Sequence, residues 1–501
     1  MSYVLSVDQS TQGTKALLLD STGKLLCRRD VAHEQKVNSN GWVSHDPDEI
    51  YRNTLESIRQ VLEASGINPA EIAVLGISNQ RETSLCWEKE TGKPIADAIV
   101  WQCGRAKELC QRVADAGWGD AVRAATGIPI SPFFPASKFA WLVEETPGAA
   151  EKAARHQLCF GTVDVWLVYK LTGGGSYKTD YSNASRTQLF NIHTLEWDNQ
   201  ICAAFGLDAA DLPEVTSSDA CFGMTDLGGL LPAPIPICGV LGDSHAALFG
   251  QGCLHSGMAK ATYGTGSSIM MNIGSNPIES RNGLVTSLAW KFRGEVSYVM
   301  EGNLNYTGAV LRWLEKDLGL CKASETQALA EAANPEDTTY LVPAFTGLGA
   351  PYWNNEAKAM LCGITRLTGK AEIARAALEC IAYQITDIVK AMERDTGMQL
   401  NRLQVDGGPT RNGYLMQLQS DMLDAKVCIP SSEELSGIGA GYMAGLASGI
   451  FTDGVFSSLN YSYFSPEMCT DICRKKYSGW QNAVRMVLTA EKIKGALSLA
   501  K

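Results

Sequence analysis

The start of the chain alternates apolar and polar segments. An apolar segment runs from Tyr3 to the carboxylate of Asp8, and a polar turn follows from Gln9 to Gly13. A second apolar segment then runs from Thr14 to Asp20, so the pattern predicts two strands joined as a hairpin. Because the turn contains hydroxyl residues and a glycine, its backbone N–H groups could surround an anion, and Asp8 could hold a hydrated divalent cation beside it. The hairpin is a candidate phosphate site, and an ordinary polar turn is the alternative.

Two later segments resemble this arrangement. Residues 262–268 place glycine and hydroxyl residues in a turn between apolar flanks. Residues 403–408 form an apolar strand that runs into a pair of glycines, and a helix is predicted to begin near Asn412. Paired glycines allow a flat or charged ligand to approach the backbone closely. Since the chain contains no G-x-x-x-x-G-K-[ST] motif, the three turns indicate nucleotide binding by a fold other than that of the P-loop proteins.

Helical and strand patterns alternate in the first 80 residues. Asp46 and Pro47 mark the start of a helix, with Glu49 as the partner in a capping box. Apolar residues then recur at the helical spacing and predict one buried face, formed by Tyr51, Leu55, Ile58 and Leu62. Longer helices are predicted over Ala371–Asp395 and Gly439–Gly449.

Two predicted strands end at polar residues. The strand Ile72–Ser78 leads into a loop that contains Arg81 and Glu82, and the strand Ile237–Gly242 leads into Asp243. Ligands of open α/β sheets bind at the carboxyl ends of the strands. These polar residues are therefore expected to lie at one edge of a sheet, where a ligand would bind.

The length of the chain predicts more than one domain. At 501 residues the chain is expected to form two or three domains, and 45% apolar with 19% charged residues is typical of a globular protein with a large core. A phosphate-type hairpin lies near the start of each half. Residues 1–248 and 249–501 are therefore predicted to form two related domains with a cleft between them.

The charge and the cysteine pattern argue against several classes of protein. A net charge of −11 without a basic block argues against nucleic acid and anionic membranes as partners. No signal-peptide pattern and no run of 18 apolar residues occurs, so neither secretion nor a membrane span is expected. The 15 cysteines and 6 histidines are scattered without a C-x-x-C motif. Free thiols in a reducing cytoplasm are expected, and a metal cluster is not.

Asp243 is the main candidate for catalysis. A carboxylate at the end of a strand, beside a flexible glycine, could accept a proton from a substrate hydroxyl. The alternative is a helix N-cap for a helix that begins near Ala246. A serine hydrolase with Ser244 as nucleophile is disfavoured, because Ala246 stands where the nucleophile elbow has glycine and only His245 and His255 follow as possible bases.

Arg81, Glu82 and Trp101 are candidates for ligand binding. The five N–H donors of Arg81 adjoin the acceptor oxygens of Glu82, a combination that suits a ligand with several neighbouring hydroxyls. A surface ion pair is the alternative. Trp101 follows the apolar residues 98–100 and could either cover the C–H edge of a polyol or fill the core.

Longer segments of the chain match a known family. They are residues 79–83 (NQRET), 87–94 (WEKETGKP), 99–103 (IVWQC), 160–164 (FGTVD), 183–187 (NASRT), 257–260 (GMAK), 342–353 (VPAFTGLGAPYW) and 133–141, which includes Lys138 and fits the first signature of the family. Over nearly its whole length the chain resembles the FGGY carbohydrate kinases, and within that family it is most similar to the glycerol kinases.

The resemblance implies an α/β fold of two actin-like, ribonuclease-H-type domains around a central nucleotide cleft that binds ATP and Mg²⁺. It implies that Asp243 is the general base and that Asp8 and Asp243 hold the metal. The acceptor pocket would be lined by Arg81, Glu82, Trp101, Phe133, Asp243, Ser244 and Ser268. The nucleotide would contact Thr11, Gln12, Lys15, Gly264, Thr265, Gly308, Arg312, Gly408 and Asn412.

The chain departs from the glycerol kinases mainly in the acceptor pocket. Those enzymes usually carry Tyr where this chain has Phe133, Gln where it has Ser244, and Phe where it has Ser268. Each change removes bulk or a polar group, so a wider pocket that admits a four- or five-carbon polyol is expected, with the chemistry intact. Residues 12–15 and 409–411 also differ and are expected to tune the affinity for ATP.

The resemblance thus implies an ATP-dependent kinase that phosphorylates a terminal hydroxyl of glycerol or a closely similar polyol. A kinase for a larger polyol or a ketose is the alternative within this class. A non-catalytic, nucleotide-dependent sensor on the same fold is the alternative from another class, and the intact Asp243 argues against it because a sensor needs no base. A homo-oligomer, either a dimer or a tetramer, is expected.

Overall fold

The computed structural model describes residues 2–499, and it describes side chains as far as residue 489. The strands are β1 (Tyr3–Gln9), β2 (Gly13–Leu19), β3 (Leu25–Ala32), β4 (Lys36–Val37), β5 (Val43–His45), β6 (Ile72–Asn79), β7 (Leu85–Glu88), β8 (Ala98–Ile99), β9 (Leu158–Gly161), β10 (Lys178–Asp180), β11 (Phe190–Asn191), β12 (Glu196–Trp197), β13 (Glu214–Thr216), β14 (Cys221–Thr225), β15 (Ile235–Gly242), β16 (Ala259–Tyr263), β17 (Ser267–Gly274), β18 (Val285–Phe292), β19 (Glu295–Leu304), β20 (Tyr340–Val342), β21 (Met360–Cys362), β22 (Arg402–Asp406), β23 (Lys426–Pro430) and β24 (Tyr461–Phe464). The helices are α1 (Pro47–Ser65), α2 (Lys107–Asp115), α3 (Gly119–Thr126), α4 (Pro135–Glu145), α5 (Ala149–Ala153), α6 (Val163–Leu171), α7 (Tyr181–Ala184), α8 (Asn199–Ala204), α9 (Asp243–Gly250), α10 (Gly308–Arg312), α11 (Thr326–Ala332), α12 (Lys370–Thr396), α13 (Gly413–Leu423), α14 (Leu435–Ala447) and α15 (Thr470–Leu499).

Two large sheets share the same arrangement of their central strands and differ in their edge strands. The first has the strand order β14-β15-β6-β1-β2-β3, and the second has the order β18-β19-β17-β16-β22-β23-β24. In the first sheet β1 and β2 form an antiparallel hairpin, and β6 and β15 continue parallel to β1. In the second sheet β16 and β17 form the hairpin, and β22 and β23 continue parallel to β16. The repeated arrangement is that of two related ribonuclease-H-type domains, as in the actin-like fold.

Helices cover both faces of the first sheet. Helices α1 and α6 pack on one face, where their apolar side chains join those of β1, β2 and β6 in a buried core. Helix α14 packs on the other face, against β1, β6, β15 and α9, although it lies in the second half of the chain. The small residues of α14 allow this close approach: a Cβ atom at Gly439 would lie 1.8 Å from the carbonyl oxygen of Ala246.

Helix α9 lies between the two sheets. Leu248 and Phe249 of this helix share one buried cluster with Met270 and Val299 of the second sheet. The Phe249 ring packs edge-on against Trp290 of β18, with 5.2 Å between the ring centroids. The start of α9 is therefore held at the junction of the two halves, where residues from both sheets can reach it.

The predicted helices are present, but two capping predictions were wrong: Glu49 completes no capping box, and Asp243 is not a helix N-cap. Asp46 caps α1 by accepting a hydrogen bond from the Asp48 N–H at 2.9 Å, whereas Glu49 accepts from the Glu34 N–H at 3.1 Å and completes no capping box. The predicted helix near Ala246 begins three residues earlier, at Asp243, and its N-cap is Gly242. Helix α14 also begins earlier than predicted, at Leu435.

Within the part of the chain that the structure describes, no helix has both the length and the apolar character that crossing a lipid bilayer requires.

Candidate functional site

Three parallel strands end side by side at one edge of the first sheet. Gln9 of β1 pairs with Asn79 of β6, and Asn79 pairs with Gly242 of β15. Asp8, the Arg81 loop and Asp243 therefore stand at the same edge, as the strand pattern indicated. This edge lies against α9, which also contacts β16 and β17 of the second sheet, so it forms one wall of the junction between the halves.

Asp243 is the first residue of α9 and does not cap it. One of its oxygens, Oδ1, accepts hydrogen bonds from Arg81 Nε at 3.1 Å and from the Ser244 N–H at 2.6 Å. The side chain is 35% exposed. Among the described residues no donor is found for the other oxygen, Oδ2. The carboxylate is thus oriented by Arg81 through Oδ1 alone.

Glu301 of β19 joins the site from the second half of the chain. Its carboxylate is fully buried and accepts from Arg81 Nη1 and Nη2 at 3.0 and 2.9 Å. Arg186 Nη1 lies 2.8 Å from Oε2, and Ser268 Oγ donates to Oε1 at 2.9 Å. Burial alone would raise the pKa of Glu301, but Arg186 and Arg81 hold that pKa well below its ordinary value.

Glu82 is not paired with its neighbour Arg81. Its Oε1 accepts a hydrogen bond from Arg186 Nε at 2.6 Å, and the side chain is 3% exposed. The backbone of Glu82 has a φ of +61°, in the left-handed region that few residues other than glycine adopt. This backbone conformation directs the two neighbouring side chains to different partners, so the surface ion pair considered from the sequence does not form.

Aromatic rings form a second wall near the first hairpin. Trp101 Nε1 donates to Thr11 Oγ1 at 2.9 Å, and the Trp101 and Phe133 ring centroids lie 5.4 Å apart at 62°. Lys138 is fully buried beneath this wall and donates to the Phe133 carbonyl oxygen. Burial lowers the pKa of Lys138 to about 7. Trp101 and Phe133 thus pack against each other beside Thr11, and Lys138 supports the loop that carries Phe133.

Among the described residues, no histidine forms a hydrogen bond with Ser244 that could make it a nucleophile. His245 is fully buried, and within the described residues neither of its ring nitrogens has a hydrogen-bond partner. Burial lowers the pKa of His245 well below its ordinary value. The arrangement that a serine hydrolase requires is therefore not formed here.

Asp8 is the other carboxylate at this edge. It is 7% exposed, accepts from Ser78 Oγ at 3.1 Å and has Lys15 Nζ 4.0 Å from its Oδ2. Burial raises the pKa of Asp8 to about 6, and the negative charge of Asp243 adds to this rise. Lys15 also pairs with Glu434 of the second half at 2.9 Å, a contact that the sequence did not indicate.

The carboxylates fit a magnesium ion better than a transition metal. Among the described residues no cluster of three or more His, Cys, Asp or Glu side chains could hold a metal ion. Mg²⁺ is usually bound by one or two carboxylates, with water and phosphate oxygens completing its shell. Asp8 and Asp243 offer such a pair, and a cation between them would offset the repulsion that raises the Asp8 pKa.

The second hairpin forms a turn against α10. Gly264 N–H donates to the Gly266 carbonyl at 2.8 Å, and Gly308 N–H donates to the Gly264 carbonyl at 2.9 Å. A Cβ atom at Gly308 would lie 2.8 Å from the Gly264 oxygen, so a larger residue would push this turn away from α10. Thr265 at the tip of the turn is exposed and free to meet a ligand.

A cavity of about 600 Å³ lies beside this turn. Its lining includes four of the predicted nucleotide residues, Gly308, Arg312, Gly408 and Asn412. The volume lies in the range of small-molecule sites, which is about 300–1,000 Å³. The remaining predicted nucleotide residues lie in the two hairpins; of these, Gln12 is exposed and its carbonyl accepts from the His33 N–H at 2.9 Å.

Comparison with known protein families covers most of the chain. The amino-terminal domain model of the FGGY family of carbohydrate kinases matches residues 3–250, and the carboxyl-terminal domain model of that family matches residues 259–448. Among similar proteins, glycerol kinase 1 of Thermotoga maritima is 46% identical over 97% of this chain and 100% of its own length. Glycerol kinase of Symbiobacterium thermophilum is 43% identical over 96% of this chain and 97% of its own length.

Solved structures show the same fold. Plasmodium falciparum glycerol kinase with ADP superposes with a TM-score of 0.92 at 34% identity and covers 97% of this chain and 98% of that one. The xylulose kinase of Lactobacillus acidophilus superposes with a TM-score of 0.86 at 20% identity and covers 99% of both chains. The second likeness concerns the fold alone.

Proposed function

This chain belongs to the FGGY family of carbohydrate kinases, and on that premise we propose that it transfers the γ-phosphoryl group of ATP to a terminal hydroxyl of glycerol or a closely similar polyol. The observation that carries the proposal is the position of Asp243. It stands at the end of β15, its Oδ1 is held by Arg81, and Asp8 lies on β1, which is separated from β15 by the single strand β6. The similarity to glycerol kinases supports the choice of acceptor.

The proposed reaction needs one base and a set of positioning groups. The oxygen of the terminal hydroxyl attacks the γ-phosphorus while Asp243 accepts the proton of that hydroxyl. The bond between the γ-phosphorus and the bridging oxygen breaks, and ADP leaves. Arg81 and Glu82 orient the acceptor hydroxyls, and Trp101 with Phe133 covers the carbon chain. The N–H groups of the two hairpin turns hold the phosphates. Asp8 and Asp243 would hold Mg²⁺, which would supply charge neutralisation for the phosphates.

The proposal also divides the chain into two domains with different roles and assigns the cavity beside the second hairpin to the nucleotide. Residues 1–248 carry the first hairpin and the acceptor residues except Ser268, and residues 249–501 carry Ser268 and the second hairpin. The adenosine part of ATP would occupy the cavity lined by Gly308, Arg312, Gly408 and Asn412. A homo-oligomer stays a prediction, for which size-exclusion chromatography with light scattering is the measurement.

The test of the function is ATP consumption across a panel of acceptors. The panel contains glycerol, erythritol, threitol, xylitol, ribulose, xylulose and a hexitol, with Mg²⁺ present throughout. We expect ATP turnover that depends on a polyol of the glycerol type, with the product phosphorylated at a terminal carbon. Turnover with ketoses alone would show that the protein is a ketose kinase, which is the alternative within this class of enzymes. Tight ATP binding without turnover on any acceptor would favour the sensor.

Replacing either acceptor residue should weaken acceptor binding far more than ATP binding. Arg81→Ala and Glu82→Ala each remove a charged hydrogen-bonding group, which costs on the order of 1.5–3 kcal/mol, or roughly 10- to 150-fold in the KM of the acceptor. Steady-state kinetics with each substrate varied in turn measures both values. Arg293→Ala is the control, since among the described residues the one ion-pair partner of Arg293 is the exposed Asp453, at 2.8 Å. Equal losses for both substrates, or loss of the folded circular dichroism spectrum, would count against the assignment.

A further inference from the structure

Five alternating charges connect the two ends of the acceptor site. Asp243, Arg81, Glu301, Arg186 and Glu82 follow one another through contacts of 3.1, 2.9, 2.8 and 2.6 Å. We call this set the ionic chain. Its terminal members are the proposed base and a proposed acceptor-binding carboxylate, and its central member is Glu301.

The central residue belongs to the other half of the molecule. Glu301 lies on β19 of the second sheet, whereas the remaining four members lie between residues 81 and 243. Glu301 is fully buried, and both of its oxygens are occupied, by Arg81, Arg186 and Ser268. A buried carboxylate between two arginines is fixed in position, because any movement would leave a charge unpaired in a poorly solvated site.

We infer that Glu301 is a positioning residue that aligns the acceptor site from across the junction of the two halves. It acts through Arg81 on Asp243 at one end and through Arg186 on Glu82 at the other. Without Glu301 the two guanidinium groups would repel each other and both would move. The base and the acceptor-binding carboxylate would then lose their relative positions even though neither contacts Glu301 directly. The inference rests on the proposed function, because that function makes Asp243 and Glu82 the two ends of one site.

The first experiment compares acceptor and nucleotide binding in Glu301→Gln. The variant keeps the size of the side chain and its acceptor oxygen but removes the charge. Isothermal titration calorimetry with glycerol and with ATP gives both Kd values without turnover, and steady-state kinetics gives KM and kcat. We expect the Kd of the acceptor to rise roughly tenfold or more, as for other lost hydrogen bonds to a charged group, while the Kd of ATP changes little.

A matched variant separates positioning from loss of stability. Glu379 is also buried in the second half, and it accepts from Tyr383 at 2.7 Å, Tyr414 at 2.7 Å and Lys476 at 2.8 Å. Glu379→Gln should lower thermal stability as Glu301→Gln does, but it should leave the acceptor Kd unchanged. An equal rise of the acceptor Kd in both variants would show that Glu301 acts only through stability and would overturn the inference.

A double-mutant cycle tests the route through Arg81. Only the route through Arg186 remains in an Arg81→Lys background, so Glu301→Gln should have a smaller effect on the acceptor Kd there than in the parent protein. Additive effects would overturn the inference. Should Glu301→Gln fail to fold, Glu301→Asp provides the same comparison with a smaller change, and an unchanged acceptor Kd in Glu301→Asp would also overturn the inference.

The two proposals fail in different ways. If the parent protein binds polyols but phosphorylates none, the proposed function is wrong, and the calorimetric comparison still decides the role of Glu301. If the parent protein is an active kinase and Glu301→Gln keeps its acceptor Kd and KM, the function stands and the positioning role is wrong.

Discussion

Asp243→Asn is expected to lower kcat by roughly 10²–10⁴-fold, the usual contribution of a general base. Asn keeps the size of the side chain and can still accept from Arg81 Nε, which lies 3.1 Å from Asp243 Oδ1. It cannot take the proton of the attacking hydroxyl. Because the nucleotide cavity is lined by other residues, the Kd of ATP should change little.

Two measurements and one control check this result. Rapid-quench kinetics gives the rate of phosphoryl transfer, and calorimetry gives the Kd of ATP in the absence of Mg²⁺. Asp198→Asn is the control, since Asp198 also stands at the head of a helix, where it caps α8 through the Gln200 and Ile201 N–H groups. A rate within a few-fold of the parent in Asp243→Asn would show that another group takes the proton.

Ser268→Phe is expected to shift acceptor preference toward glycerol by roughly 10- to 200-fold, the usual effect of a methylene-sized change in an apolar slot. In the parent protein Ser268 Oγ donates to Glu301 Oε1 at 2.9 Å, and Ser268 pairs across the strands with Asn303. This side of the site is therefore small and polar. A phenyl ring would fill it and restore apolar contact with a three-carbon chain.

The measurement is kcat/KM for glycerol, erythritol, threitol and xylitol in both proteins. We expect the parent protein to accept a four- or five-carbon polyol at least as well as glycerol. Ser268→Ala removes the hydroxyl without adding bulk, so it separates the lost hydrogen bond from the narrowed slot. If the parent protein already prefers glycerol by a wide margin and Ser268→Phe leaves the ratio of the kcat/KM values unchanged, the prediction of a wider pocket is wrong and glycerol is the acceptor.

The local pattern of the sequence determined the elements that carry the site. Strands β1 and β2, and later β16 and β17, have apolar runs interrupted by glycine and hydroxyl turns, and such hairpins form from interactions between neighbouring residues. The position of Asp243 was predictable for the same reason, since it directly follows an apolar strand. Resemblance over nearly the whole chain then gave the family, which the comparisons confirmed.

Only the tertiary structure decided which charges meet. Arg81 pairs with Asp243 and Glu301, which lie 162 and 220 positions away in the chain, and Glu82 pairs with Arg186 and not with its neighbour Arg81. Glu301 gave no signal beyond a carboxylate that follows an apolar run within a strand. Such pairs depend on how α9 and α14 dock the two sheets, and that docking depends on packing between distant segments. Local periodicity fixes which face of each strand is buried, but it contains no information about which distant charge that face will meet.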